Sequence, residues 1–226
     1  MSGIRLATLT IGQAPRADIT PILEAALPEG VSCRHAGVLD GLGIDDIERR
    51  FAPVAGEAVL TSRLLDGQAV VMGKTAVKHA VQDKIDLLEQ EGCQIIALLC
   101  TGEFHGLTTQ GAWLIEPDHL LPPTLGALVA GRRVGVMVPL AEQVSSEQQK
   151  WRGLRQSPVF AVASPYTATE HEIADAARSL QQQGADVIVM DCMGFTGWHR
   201  NAAHRQTNLP VVLSNGLLAA LLAALL

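Results

Sequence analysis

Thr75–Gly102 reads TAVKHAVQDKIDLLEQEGCQIIALLCTG, and Thr167–Gly194 reads TATEHEIADAARSLQQQGADVIVMDCMG. Set side by side without gaps, at an offset of 92, the two windows share ten of 28 residues: Thr, Ala, His, Asp, Leu, Gln, Gly, Ile, Cys and Gly. Each window has one plan: a helical stretch, a glycine that stops it, an apolar run of strand length, then Cys-x-Gly. An uninterrupted apolar strand is buried on both faces, as in a parallel sheet covered by helices. Any two β-α-β units would share the Leu, the Ile and the stopping Gly. A cysteine at the carboxyl end of both strands is less easily shared, because the chain has only 4 cysteines. The repeat therefore predicts a duplicated α/β plan.

Strand and helix signals alternate outward from these windows. Ile4–Thr10 reads as a strand and Ala17–Leu27 as a helix. Ala58–Leu65 and Gln68–Met72 flank Asp66-Gly67, a favoured hairpin turn. Lys74–Gln90 is helical and Ile95–Leu99 is a strand, after which Pro117, Pro122 and Pro123 punctuate a connecting region. Arg133–Val138 opens a second series, followed by a helix over Thr169–Gln183 and strands at Val187–Met190 and Val211–Leu213. The expected fold class is α/β, with two similar lobes built on parallel sheets and an interlobe cleft. Residues 1–131 plus 210–226 are expected to form the first lobe, and 132–209 the second.

The composition agrees. Of 226 residues, 48% are hydrophobic and 18% charged, which excludes a disordered chain; 21 Gly and 11 Pro exclude a collagen-like one. The balance of 17 Lys+Arg against 23 Asp+Glu, net -6, contains no basic cluster, so no nucleic-acid partner is expected. Leu217–Leu226 is uncharged but far shorter than the ~20 apolar residues a membrane span needs, and reads as a buried terminal helix. Four cysteines are too few for a disulfide framework, and MSGIRLATLTIG lacks the basic segment and cleavage site of a secretory signal. A reducing cytoplasm with free thiols is the expected setting.

In open α/β sheets, ligands bind beyond the carboxyl ends of the strands. Cys100 and Cys192 fall there, each before a glycine-containing loop. Were the two lobes to face each other, the thiols would reach one cleft from opposite sides, a geometry suited to a carbon held between two proton-transfer groups. Backbone N–H groups in such loops favour an anion, whether a thiolate or a substrate carboxylate. The plain alternative is two buried cysteines acting as small hydrophobes. Asp191 would oppose thiolate formation at Cys192, but strand alternation turns neighbouring side chains to opposite faces.

Further candidates lie at other strand ends. Thr10, Gln13 and Arg16 follow the first strand, and Arg16 either forks to a substrate carboxylate or solvates a helix start. Thr101 either donates its hydroxyl to substrate or caps a helix, and Glu103 stands between helix-start charge and acid/base work. Ser214 and Asn215 follow the last strand, as polar contacts or caps; Pro139 and Gln143 occupy the second lobe's counterpart of the Gln13 loop. His79 and His171 coincide in the repeat but lie mid-helix, and His199 and His204 do not make HExxH. Cys93 and Cys100 lack CxxC spacing, and neither GxGxxG nor a P-loop occurs, so neither a metal nor a nucleotide cofactor is expected.

The sequence resembles the AroM family. The matching segments are Leu9–Arg16 (LTIGQAPR), Leu98–Phe104 (LLCTGEF), Leu114–Pro117 (LIEP), Val136–Pro139 (VMVP), Asp191–Phe195 (DCMGF) and Leu213–Asn215 (LSN). More distantly, the two-cysteine plan is similar to that of the aspartate/glutamate racemase superfamily, which includes hydantoin racemases, maleate isomerases and arylmalonate decarboxylases. That resemblance implies two pseudo-symmetric flavodoxin-like lobes and chemistry without metal or organic cofactor. It also implies that one cysteine removes an α-proton and the other reprotonates the opposite face, with Cys100 and Cys192 at the matching positions. Amino-acid racemases usually follow these cysteines with Asn-Thr and Thr; here Thr101-Gly102 and Met193-Gly194 stand instead.

The expected function is a cofactor-independent racemase- or isomerase-like enzyme on a small carboxylate, with Cys100 and Cys192 as the acid/base pair. Thr10, Gln13, Arg16, Thr101 and Asn215 are the expected substrate contacts. Two alternatives stay open, a decarboxylase using one thiol and a non-catalytic small-acid-binding protein. Self-association into a homo-oligomer also stays open.

Overall fold

A computed structural model describes residues 4–226; Met1–Gly3, part of the stretch read for a signal, lie outside the described residues. The chain divides into two units. One comprises the described residues through Pro117 together with Ala220–Leu226, the other Asp118–Ala219.

The first unit runs β1 (Arg5–Thr10), α1 (Thr20–Glu24), β2 (Ser32–Gly37), α2 (Ile44–Phe51), β3 (Val59–Arg63), β4 (Ala69–Gly73), α3 (Lys74–Gln90), β5 (Ile95–Leu99) and β6 (Trp113–Ile115). The second runs α4 (Pro117–Leu128), β7 (Val134–Val138), α5 (Val144–Lys150), β8 (Val159–Val162), α6 (Glu170–Gln182), β9 (Val187–Met190), α7 (Gly197–Thr207), β10 (Val211–Leu213) and α8 (Ser214–Leu225). Two helices cross the division: α4 starts at Pro117, and the second half of α8, from Ala220, belongs to the first unit.

The strand order is β2-β1-β5-β6 in one sheet and β8-β7-β9-β10 in the other. All pairs within both sheets are parallel. The two orders are the same when read from the second strand of each unit: second, first, third, fourth. This is the opening of the doubly wound, flavodoxin-like arrangement, in which the site-forming loops leave the carboxyl ends of the first and third strands. The fold class is thus α/β with a duplicated parallel-sheet plan.

The repeat read from sequence is the structural repeat. In α3 the buried positions include Val81, Ile85 and Leu88; in α6 they include Ile173, Ala177 and Leu180, the same positions at the same offset. This apolar stripe holds each helix on its sheet, where a fully buried aliphatic side chain contributes about 1.5–3 kcal/mol. Gly92 and Gly184 follow these helices with φ +84 and +89, the left-handed backbone that reverses the chain into the third strand. All residues of β5, β7 and β9 are buried.

Two expectations change. The proline-marked connector is helix α4, in which Pro122 and Pro123 are interior. Leu121 and Leu125 are completely buried, and the Thr124 hydroxyl donates to the Leu120 carbonyl over 2.7 Å, so apolar burial outweighs the missing backbone donors. The helix expected over Ala17–Leu27 is confined to Thr20–Glu24, because the preceding loop is committed to the contacts described below. The hairpin around Asp66-Gly67 forms as expected, with β3 antiparallel to β4, and lies between α2 and α3 of the first unit. Among the described residues no helix is long and apolar enough to cross a membrane.

Candidate active site

Cys100 directly follows β5, and Cys192 follows β9 after Asp191. Both are buried, at 7% and 8% exposure, and both are free thiols. The other two cysteines belong to the opposite ends of their strands: Cys33 is at the start of β2, and Cys93 precedes β5. Burial pushes the Cys33 thiol up to about 11 and also raises Cys93, so neither is a ready source of thiolate at neutral pH.

In the first unit, the backbone N–H of Gly102 donates to Cys100 Sγ over 3.4 Å. A Cβ on Gly102 would stand 2.7 Å from Leu60 Cδ2 and 3.4 Å from that sulfur. Glycine here lets the β3–β4 hairpin close on the cysteine loop while an amide faces the thiol. Thr101 between them is buried, and Glu103 is half-buried beside His105, 3.3 Å away.

The loop after β1 is held by its own polar side chains. Thr10 Oγ1 accepts from the Gly12 N–H at 3.2 Å and from Arg16 Nη1 at 3.3 Å. Arg16, 4% exposed, also donates to Ser62 Oγ at 3.1 Å and makes a two-point pair with Asp18, at 2.9 and 2.7 Å. The carboxylate fork expected of Arg16 is therefore made, with Asp18 as the carboxylate. Gln13 donates to the carbonyls of Leu39 and Leu42 and accepts from the Leu65 N–H, tying the loops after β2 and β3 to the loop after β1.

In the second unit, Tyr166 Oη lies 3.7 Å from Cys192 Sγ. A Cβ on Gly194 would stand 2.4 Å from the Tyr166 ring, so the glycine two residues past Cys192 admits the phenol. The Asn215 amide, completely buried, donates to the carbonyls of Met193 at 2.8 Å and Phe195 at 2.6 Å, fixing the cysteine loop from α8. His199 accepts from the Thr196 N–H at 2.9 Å through Nδ1 and donates from Nε2 to the Pro165 carbonyl at 3.1 Å. Those two bonds define a neutral imidazole with its proton on Nε2. The ring thus joins the Cys192 loop to the turn that carries Tyr166.

Asp191 turns the other way, as strand alternation requires. It packs with Trp151, in the cluster of Leu125 and Val136, whereas Cys192 packs with Ile173 and Phe195. Its Oδ2 accepts from Trp151 Nε1 at 2.9 Å and from Lys150 Nζ, and its Oδ1 from Ser214 Oγ at 3.3 Å. Glu147 lies 3.0 Å from Lys150. Burial works against the Asp191 charge, but the Lys150 ammonium and the hydrogen bonds keep the carboxyl below its ordinary range. One lysine cannot serve two buried carboxylates equally. Burial and the Asp191 charge push Glu147 up to about 8. Gln143, in the single helical turn Ala141–Gln143 before α5, contributes its carbonyl to Ser146 Oγ.

Tyr166, His199, Asp18 and the Lys150–Asp191–Glu147 group were not legible as site residues. Tyr166 had one available signal, being the only tyrosine of the sequence and lying just before a repeat helix. The others depend on contacts that span from 2 to 41 residues of chain.

Solved structures of three enzymes share the fold. A glutamate racemase from Bacillus anthracis aligns with a TM-score of 0.66 at 11% identity, covering 100% of this chain and 82% of that one. A maleate isomerase from Pseudomonas putida S16 aligns at 0.60 and 12%, covering 98% and 92%. An arylmalonate decarboxylase aligns at 0.58 and 16%, covering 98% and 93%. No curated protein matches the sequence. The model of a protein family described as AroM protein matches from residue 6 to residue 226, and the chain belongs to that family.

Proposed function

We propose that the chain is an enzyme of racemase or isomerase type, acting on a small carboxylate with Cys100 and Cys192 as its acid/base pair. The carrying observation is that the two cysteines follow equivalent strands, β5 and β9, in two sheets of the same strand order. One thiolate takes a proton from the carbon next to the carboxylate, and the other thiol returns a proton to the opposite face. The chemistry calls for no metal or organic cofactor. The similarity to a glutamate racemase and a maleate isomerase supports the reaction class.

Thr10, Gln13, Arg16, Thr101 and Asn215 orient the substrate, and the bonds that Thr10, Gln13, Arg16 and Asn215 make within the protein also set the shape of the loops. A reducing cytoplasm suits the four free thiols. The unlike neighbours of the two cysteines favour one second reading, a decarboxylase in which a single thiol delivers the proton.

The test is a panel of small mono- and dicarboxylates incubated with the protein in deuterium oxide. Racemisation places deuterium on the carbon next to the carboxylate of recovered substrate, and C100S and C192S each abolish net turnover. Carbon dioxide release with one dispensable cysteine selects the second reading. Full turnover in both variants rejects the thiol mechanism.

A further inference from the structure

The loops after β5 and β9 match in plan, but their surroundings do not. In each, the glycine two residues past the cysteine is approached by a side chain from the connection between the unit's second strand and its repeat helix. In the first unit that side chain is Leu60, an aliphatic group. In the second it is Tyr166, whose phenol oxygen stands 3.7 Å from Cys192 Sγ.

We propose that Tyr166 is a positioning residue of the Cys192 site, its phenol donating a hydrogen bond that holds and favours the Cys192 thiolate. The inference rests on the reading of Cys192 as a reacting atom. A phenol ordinarily ionises near ~10 and a thiol near ~8.5. As pH rises a thiol therefore loses its proton before a phenol does, and the O–H can only donate to the resulting thiolate. A hydrogen bond to an ionised acceptor is stronger than one to the neutral form, so it shifts the balance toward the charged sulfur.

The local construction serves this contact. Gly194 leaves room for the ring, since a Cβ there would fall 2.4 Å from Cε1 and 2.7 Å from the phenol oxygen. His199 bonds the Pro165 carbonyl, one residue before Tyr166, and the Thr196 N–H of the cysteine loop. The Tyr166 N–H donates to Ser164 Oγ at 3.2 Å, closing the turn. Three titratable groups of the flanking elements have partners of their own. Asp191 is turned to Lys150, Trp151 and Ser214, His199 is neutral by its two bonds, and Glu172 of α6 is engaged by Thr169 at the helix start.

The experiment follows the Cβ resonances of carbon-13-labelled cysteine through a pH titration of the full chain, with each signal assigned by a Cys→Ser variant. In Y166F the Cys192 midpoint is expected to rise by about half a pH unit or more, roughly threefold less thiolate at a given pH, with the Cys100 midpoint unmoved. The sequence has a single tyrosine, so tyrosinate absorbance reports the phenol directly and does not require Y166F to fold. In C192S the phenol is expected to ionise at lower pH than in the unmodified protein, because the neighbouring anion is gone. Unchanged midpoints in either titration, or a Cys192 midpoint that falls in Y166F, overturn the proposal. The titrations need no substrate. Absent deuterium exchange with shifted midpoints therefore removes the catalytic reading and leaves the Tyr166–Cys192 pair standing, while the reverse result removes only the pair.

Discussion

The amide N–H of Gly102 points at the sulfur of Cys100, 3.4 Å away, and the same glycine leaves only enough room for Leu60 of the hairpin strand. One residue with no side chain thus sets both the electrostatics of the thiol and its packing. Adding a methyl group tests the two together. G102A is expected to cost about 1–3 kcal/mol by overpacking, read as a lower urea midpoint, and to displace Leu60 from the cysteine loop. L60A removes a buried side chain and is itself destabilising, but in that background the added cost of G102A is expected to shrink, a coupling read in a double-mutant cycle. If G102A matches the parent protein in both stability and Cys100 titration, the close approach is not real.

Glu147 gives a pH dependence with a definite sign. Its carboxyl ionises at about 8 in the folded protein against an ordinary 4.5, through burial and the Asp191 charge, with Lys150 opposing. Between those pH values the folded state holds a proton that the unfolded state has released. Stability therefore falls as pH rises through that window and levels off above it, by an amount on the order of a few kcal/mol. E147Q, which cannot ionise, is expected to flatten the pH profile of the urea midpoint and to be the more stable protein at the alkaline end. A profile identical to that of the parent excludes a protonated Glu147.

Asn215 holds the second cysteine loop by two buried donations from one amide. N215A leaves two carbonyls without that donor and is expected to lose about 2–4 kcal/mol, measured by thermal or urea unfolding. Its Cys192 titration should broaden as the loop loosens. N215D, which sets an anion against two carbonyl oxygens, should be worse than N215A.

Arg16 and Asp18 form a buried two-point pair that also reaches Thr10 and Ser62. R16K keeps the charge and loses the planar fork, at an expected cost of about 2 kcal/mol. Because the partners share one network, R16K and D18N should combine far less than additively in a double-mutant cycle. Additive losses mean that the pair is not a unit.

The parts of the fold visible in the sequence were those carried by local pattern. α3, β5, β9 and β10 have the bounds read from apolar period and stopping glycines, because side-chain spacing and backbone conformation act within a few residues. Helix α4 was hidden because two prolines oppose it locally, and only the burial of Leu121 and Leu125 reverses the balance. Strand β2 (SCRHAG) has a weak apolar signal, and β6 (WLI) and β8 (VFAV) are apolar but only three and four residues long; pairing to β1, β5 and β7 defines them.

The sequence alone determined the duplicated α/β plan and the equivalent placement of Cys100 and Cys192, carried by ten coincident residues at one offset, and the family resemblance, carried by six short segments. Tertiary structure alone decided which groups surround each thiol. It put a backbone amide and Leu60 against Cys100, a phenol against Cys192, and Asp18 where a ligand carboxylate was expected beside Arg16. Most of these contacts depend on which loops leave the same strand ends and how closely they approach. That is a property of packed sheets and helices, with no signature in the order of neighbouring residues.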